Sequence, residues 1–99
     1  MTAQTRLVEI VNRKGLHARA SAKLAELALS LPALVTVSYE GETADARSIM
    51  DLLCLGAAIG SQVEISAEGD SAALALNRVE ALFKDGFGEL AEDAECACK

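Results

Sequence analysis

Residues 34–56 read LVTVSYEGETADARSIMDLLCLG and contain, in order, the patterns of a strand, a turn, a second strand and a short helix. Residues 34–39 alternate apolar and polar side chains, which is typical of a half-buried strand. Gly41 marks a turn, so residues 43–47 can return as the second strand of a hairpin. Ser48 opens a Ser-x-x-acid capping pattern, which predicts that a short helix follows the hairpin.

A strand and a helix are predicted on each side of this stretch. Before it, residues 6–11 alternate as a strand, and residues 18–31 carry apolar side chains at helical spacing. After it, residues 62–68 alternate again, and residues 71–84 present one apolar helical face. The resulting order, β-α-β-β-α-β-α, predicts an α+β fold with helices covering one face of a sheet.

The length and composition exclude several classes of protein. A chain of 99 residues forms one domain, and its net charge of −6 argues against nucleic-acid binding. The longest run without charged or strongly polar side chains, residues 52–60, is far shorter than the roughly 18 residues that span a membrane. The first residues show no apolar signal segment, and three cysteines form no disulfide framework. We therefore expect a reduced, cytoplasmic protein that binds no membrane.

The end of the chain differs in composition from the rest. Residues 89–99 contain four acids, one leucine and no usable period. We therefore expect a folded domain over residues 1–88 and a disordered acidic tail over residues 89–99.

The chain contains a single histidine, His17, between the first predicted strand and the first predicted helix. Residues 10–25 hold four of the nine basic residues and no acid, although the chain as a whole is acidic. The unpaired N–H groups and the dipole of a helix N-terminus favour phosphate there, and Arg19 can add a charge-assisted hydrogen bond. A neutral imidazole is a competent nucleophile, so His17 can carry a phosphoryl group. The alternative is a histidine that only caps the helix.

Residues 15–19, Gly-Leu-His-Ala-Arg, resemble the active-site motif of the HPr family, the histidine phosphocarriers of the bacterial phosphoenolpyruvate-dependent phosphotransferase system. Residues 47–50, followed by residues 52–56, resemble the second motif of the family, around its regulatory serine. The resemblance covers about residues 6–87, and residues 81–87 are similar to the nitrogen-related branch of the system. It implies an open-faced β-sandwich, in which a four-stranded antiparallel sheet carries three helices on one face.

The resemblance also implies a function. His17 would accept a phosphoryl group from phospho-enzyme I and pass it to an EIIA-type protein, in sugar uptake or in nitrogen and stress regulation. Such a protein is a carrier rather than an enzyme and needs no cofactor or metal. Arg19 would stabilise the phosphate. The chain has Ala20 where the family usually has proline, so we expect a looser helix start.

Ser48 has two interpretations. As the N-cap of the second helix it stabilises that helix by roughly 1 kcal/mol. By resemblance to the family it is also a candidate regulatory site, phosphorylated by an HPr kinase/phosphorylase. The two roles are compatible, because the helix dipole favours a phosphate at that end.

A set of small or apolar residues is expected to contact the protein partners. Small side chains near His17 would let a partner approach, and a short helix cannot bury every apolar side chain it carries. A methionine suits a surface that accepts more than one partner. The predicted contacts are Ala18, Ala20, Ser21, Lys23, Ile49, Met50 and Leu53. We expect the protein itself to be a monomer.

Two other functions are compatible with the element order. A small metal-handling domain would need thiols in the first strand–helix loop, which holds His17 and no cysteine. Cys96 and Cys98 lack two further nearby ligands for zinc, and Cys54 is expected in the core. The second alternative, a regulatory interaction module without phosphoryl transfer, stays open.

Overall fold

The computed structural model describes residues 3–90 of the chain. Within this range the chain forms four strands, three α-helices and one 3-10 turn, in the order predicted from the sequence. They are β1 (Gln4–Glu9), α1 (Ala18–Ser30), β2 (Leu34–Tyr39), β3 (Glu42–Asp45), α2 (Ile49–Leu55), β4 (Gln62–Glu68), α3 (Ala72–Lys84) and the 3-10 turn Gly86–Gly88. No helix within residues 3–90 is long and apolar enough to cross a membrane.

The four strands form one sheet in the order β1-β4-β2-β3, and every neighbouring pair is antiparallel. Val37 of β2 lies between Ile65 of β4 and Ala44 of β3, which sets the register of the central strands. The side chains of these three residues are buried on the same face, because side chains at paired positions point the same way. The antiparallel sheet confirms the predicted fold class.

The core lies between one face of the sheet and the helices. Alternate side chains of the strands are buried, whereas their neighbours, such as Leu7 and Glu64, are exposed on the open face. The largest fully buried side chains are Phe83, Phe87, Ile10, Leu24, Leu52, Ile65, Leu76, Val35, Val37, Val63 and Val79. They come from the strands, from all three helices and from the final turn, so a single core joins the whole described chain.

Helix α2 begins and ends where its local sequence predicts. The Ser48 hydroxyl accepts a hydrogen bond from the backbone N–H of Asp51 at 3.2 Å, which confirms the cap. Gly56 ends the helix in the left-handed region, at φ +65°. The capping role of Ser48 is thus accounted for by local structure alone.

Two of the predicted partner contacts, Ala20 and Ser21, are wrong. Both residues are fully buried, because they precede Leu24 and Ala25 by one turn on the core face of α1. The prediction of a buried Cys54 is also wrong, since its thiol side chain is exposed. Helix α2 has seven residues and turns Leu52 and Leu55 inward, which leaves Cys54 on the outer side.

Glu89 differs from the expectation that a solvated tail begins after residue 88. It is buried, with 2% of its surface exposed, and directly follows the 3-10 turn. The turn carries Phe87 into the core, so the next residue remains against the protein. The rest of the predicted tail, residues 91–99 with Cys96 and Cys98, lies outside the described residues.

Candidate functional site

The loop before His17 is held tightly against the segment that follows α2. Gly15 has φ +64°, and a Cβ atom there would lie 2.5 Å from the carbonyl oxygen of Ala57. The N–H of the next residue, Leu16, donates to that same oxygen at 3.1 Å. Glycine is required at residue 15 both for its left-handed backbone and for this close approach.

His17 is the N-cap of α1, in extended backbone conformation. Its carbonyl oxygen accepts the first helical hydrogen bond, from the N–H of Ser21 at 2.8 Å. Its ring Nδ1 accepts a longer bond, 3.3 Å, from the N–H of Arg19. The side chain is 25% exposed, so a partner can reach the ring at the start of the helix.

The other ring nitrogen faces a buried carboxylate. His17 Nε2 lies 2.6 Å from Oε2 of Glu89. The second oxygen of Glu89 accepts a hydrogen bond from Asn12 Nδ2 at 3.1 Å, and the same Nδ2 donates to the carbonyl oxygen of Gly15 at 2.9 Å. Because Nδ1 accepts a long bond from a backbone N–H and Nε2 faces a carboxylate, the proton of the neutral ring belongs on Nε2.

The final turn places Glu89 at the site. Phe87 adopts φ +56° and is buried, with its ring edge-on to Phe83 at a centroid distance of 4.9 Å. Its carbonyl oxygen accepts a hydrogen bond from Lys23 Nζ at 2.7 Å. The N–H of Glu89 donates to Gly86 at 3.0 Å and closes the turn. Helices α1 and α3 therefore fix the carboxylate from both sides.

The positive side chains predicted near His17 differ in their surroundings. Arg13 and Lys14 are exposed on the loop before the ring, and Arg19 is exposed in the first turn after it. Lys23 is tied to the final turn through its bond to Phe87. The first turn of α1 contains no acidic residue, so the sequence of the helix itself does not oppose an anion there.

The start of α2 presents apolar side chains to solvent. Ile49 is 40% exposed and Met50 68% exposed, while Leu53 is half-buried. Together with the exposed Ala18, and with Lys23, they are the predicted contacts that remain accessible. Ile49 and Met50 present an apolar surface next to the half-buried Ser48.

Arg47, immediately before Ser48, is held by an ion pair. Its Nη2 lies 3.0 Å from Oδ2 of Asp45, and its backbone N–H donates to the same carboxylate. These hydrogen bonds from Arg47 lower the pKa of Asp45. Both side chains are largely exposed, so the pair orients the entry to α2 rather than adding much stability.

A metal site is not formed by the described residues: within 3–90, no group of three or more His, Cys, Asp or Glu side chains lies close enough together to hold an ion. The groups that the described residues place around the His17 ring are the Glu89 carboxylate and the start of α1.

Comparisons with known proteins identify the family of the chain. The family described as "PTS HPr component phosphorylation site" matches residues 4–85. The chain is 44% identical to phosphocarrier protein HPr of Cupriavidus necator over 80 residues, which are 81% of this chain and 90% of that protein. It is 45% identical to phosphocarrier protein NPr of Escherichia coli over 83 residues, which are 83% of this chain and 92% of that protein.

Solved structures show the same fold. HPr from Thermoanaerobacter tengcongensis superposes with a TM-score of 0.83 at 34% identity, covering 87% of this chain and 97% of that one. HPr from Bacillus anthracis superposes with a TM-score of 0.80 at 29% identity, covering 84% of this chain and 99% of that one.

Fold and relatives together define the class of this molecule: it is a phosphocarrier, not an enzyme. Within that class the chain belongs to the HPr family of the phosphotransferase system.

Proposed function

We propose that His17 accepts a phosphoryl group from phospho-enzyme I and passes it to an EIIA-type protein in the cytoplasm. The observation that carries the proposal is the place of the imidazole, a quarter exposed at the N-cap of α1. At this position an attached phosphate would meet the N–H groups and the positive end of the helix dipole. Residues 3–90 form the phosphocarrier domain in this proposal.

Nδ1 is the nitrogen best placed to take the phosphoryl group. Among the described residues it accepts one long hydrogen bond, from the N–H of Arg19, whereas Nε2 is engaged at 2.6 Å by Glu89. In the transfer, the Nδ1 lone pair forms a bond to phosphorus while the bond between phosphorus and the donor breaks. The electron pair of that broken bond goes to the donor. The N–H of Arg19 then donates to a phosphoryl oxygen instead of to Nδ1.

Arg19 supplies the positive side chain in this proposal. It lies in the first turn of α1, two residues after His17, and it is exposed. A guanidinium can hold two phosphoryl oxygens at once, which gives direction as well as charge. Ala20 is buried in the core face of α1, so the alanine in place of the usual proline leaves the helix start packed.

The exposed surface of α2 is the proposed docking surface for both partners. Ile49 and Met50 lie there with Leu53 behind them, and Ala18 and Lys23 complete the contact from α1. A carrier must leave its donor and its acceptor quickly, so the interface should be small and transient.

Ser48 is the proposed regulatory residue. An HPr kinase/phosphorylase would add about two negative charges next to Ile49 and Met50, where the partners dock. The phosphate would lie at the N-terminus of α2, where the helix dipole favours negative charge, so the helix would remain capped. Phosphorylation would therefore weaken docking without unfolding α2.

The proposal includes both branches of the phosphotransferase system. Relatives named HPr and NPr are about equally similar to this chain, at 44% and 45% identity. Sugar uptake and nitrogen or stress regulation are therefore distinguished by which EIIA-type protein receives the phosphoryl group fastest.

The test is incubation of the full chain with phosphoenolpyruvate and enzyme I, followed by mass spectrometry. Wild type is expected to gain one acid-labile phosphate, and His17→Ala none. Asn77→Ala, on the exposed side of α3, is the control that should label normally. Equal labelling of wild type and His17→Ala would place the phosphate elsewhere. Binding of enzyme I without labelling of wild type would favour the interaction module.

A further inference from the structure

Glu89 is an unexpected neighbour for a residue that carries phosphate. A carboxylate repels a phosphoryl dianion, yet this one is 98% shielded from solvent and lies against the ring of His17. Both of its oxygens have partners: Oε2 faces His17 Nε2, and Oε1 accepts from Asn12. A buried acid so placed needs a physical reason, because burying a charge is costly unless its partners compensate.

The side-chain amide of Asn12 holds that carboxylate in place. Its Nδ2 donates to Glu89 and to the carbonyl oxygen of Gly15, both of which are acceptors. Reversing the amide would place Oδ1 against two acceptor oxygens, so the present orientation is the only satisfactory one. In this orientation Oδ1 is buried and has no hydrogen-bond partner among the described residues. Burying this oxygen without a partner is unfavourable, and the bonds to Glu89 and Gly15 must offset that cost.

The backbone of the final turn gives Glu89 little freedom. Phe87 is buried against Phe83, and its carbonyl oxygen is bound by Lys23. The carboxylate is therefore held next to Nε2 by packing and by hydrogen bonds that do not involve His17.

We propose that Glu89 is the positioning residue of the phosphoryl carrier. It holds the proton on Nε2, and this leaves the lone pair of Nδ1 available for the phosphoryl group. The inference rests on the proposed function of His17 and adds the residue that selects the reacting nitrogen. It follows the general rule that the hydrogen bond at one imidazole nitrogen sets the tautomer at the other.

The same contact stabilises the phosphorylated ring. When Nδ1 takes the phosphoryl group and Nε2 keeps its proton, the ring becomes positively charged. Glu89 then lies 2.6 Å from the atom that bears that proton, while the phosphoryl group lies at the other nitrogen. On transfer to the acceptor, the electron pair of the N–P bond returns to Nδ1. The ring is neutral again, and no proton has moved.

Two variants and one control test the proposal in the full chain. Glu89→Ala removes the carboxylate, and Glu89→Gln keeps the side-chain shape and one acceptor oxygen but removes the charge and the second acceptor. Glu64→Gln is the matched control, because Glu64 is exposed on the open face of the sheet. The readouts are the ¹⁵N chemical shifts of the neutral His17 ring and the rate of phosphorylation by enzyme I. The chain has one histidine, so the ring signals are unambiguous.

Glu89→Ala should give a mixture of tautomers and a transfer rate about 10- to 100-fold lower, by analogy with the loss when a group that orients a metal-binding imidazole is removed. Glu89→Gln should keep the Nε2–H tautomer and transfer at an intermediate rate. Circular dichroism verifies that each variant is folded. Wild-type tautomer or wild-type rate in Glu89→Ala overturns the proposal, as does a Gln variant no faster than the Ala variant.

Failure of the proposed function gives a different result. If wild type is not phosphorylated at all, the carrier assignment of His17 is wrong, whatever the variants do. The ring shifts alone then decide whether Glu89 fixes the tautomer, because that measurement needs no enzyme I.

Discussion

Lys23 and Phe87 join the first helix to the last turn: Nζ of Lys23 donates to the carbonyl oxygen of Phe87 at 2.7 Å across 64 residues of sequence. The bond is partly buried and lies two residues before Glu89, so it closes the C-terminal end of the described chain over the N-terminal end of α1.

Replacing Lys23 with methionine should loosen this closure. The apolar stem keeps its length, but the hydrogen bond to a charged donor, worth about 1.5 kcal/mol or more, is lost. We expect a lower free energy of unfolding and faster amide exchange at Glu89. Urea denaturation and hydrogen exchange measure both. Lys84→Met is the control, because Lys84 is 74% exposed and its pairing with Glu80 lies at the surface; an equal loss in that variant would argue against a special role of Lys23.

Gly15→Ala should damage the loop that presents His17. The left-handed backbone alone costs an alanine about 1–2 kcal/mol, and its Cβ would also lie 2.5 Å from the carbonyl oxygen of Ala57. Gly56→Ala has nearly the same φ, +65°, and nothing within 4 Å of the new Cβ. Thermal unfolding of both should show the larger loss at residue 15. Equal losses would mean that the close approach to Ala57 is unimportant.

Substitutions at Ser48 separate its cap from its proposed regulation. Ser48→Ala loses the bond to the N–H of Asp51 and should lower the free energy of unfolding by about 1 kcal/mol. Ser48→Asp is also a good cap and should keep the stability, yet it adds charge beside Ile49 and Met50. Phosphoryl transfer from enzyme I to His17 should therefore be slower in Ser48→Asp, while Ser48→Ala accepts the phosphoryl group at the normal rate. A normal rate in Ser48→Asp would contradict docking at this surface.

Acid should weaken the contact between β1 and α3. The hydrogen bond from Arg6, at 2.7 Å, lowers the pKa of Glu80 below its ordinary value of 4.5, with a smaller contribution from Lys84. A carboxyl group whose pKa is lower in the folded state stabilises the fold above its unfolded pKa. That stabilisation is lost as the pH falls through the folded pKa. Between about pH 7 and pH 3, the range that includes carboxyl titration, the free energy of unfolding in urea should decline less for Glu80→Gln than for wild type. Parallel declines would show that the bond adds nothing.

Much of the fold could be predicted from local pattern. Strand β4 has the bounds expected from its alternation, residues 62–68, and α2 begins after the capping serine. Both predictions succeed because the period, the cap and the terminating glycine are encoded within a few neighbouring residues. The errors arose where the sequence alone had to decide which side chains of a helix face the core. The spacing of Ala20, Leu24 and Ala28 continues the apolar stripe of α1 back to the site, and so it indicates that Ala20 is buried.

Glu89 was missed because its contact with His17 joins residues 72 positions apart. Its neighbours in sequence are acidic and aperiodic, which is typical of a solvated end. The sequence feature that could have indicated this contact is Phe87, which follows Phe83 at helical spacing but lies beyond Gly86. An aromatic residue between two glycines indicates a turn that packs back on the core, and such a turn carries the following carboxylate with it.

In the proposed function the phosphoryl group travels on Nδ1 of His17. NMR of the ¹⁵N-histidine-labelled chain, after phosphorylation by phosphoenolpyruvate and enzyme I, identifies the phosphorylated nitrogen through the phosphorus–nitrogen coupling. We expect coupling to Nδ1 and a proton retained on Nε2. Coupling to Nε2, or a phosphate with no coupling to the histidine, would contradict the proposal.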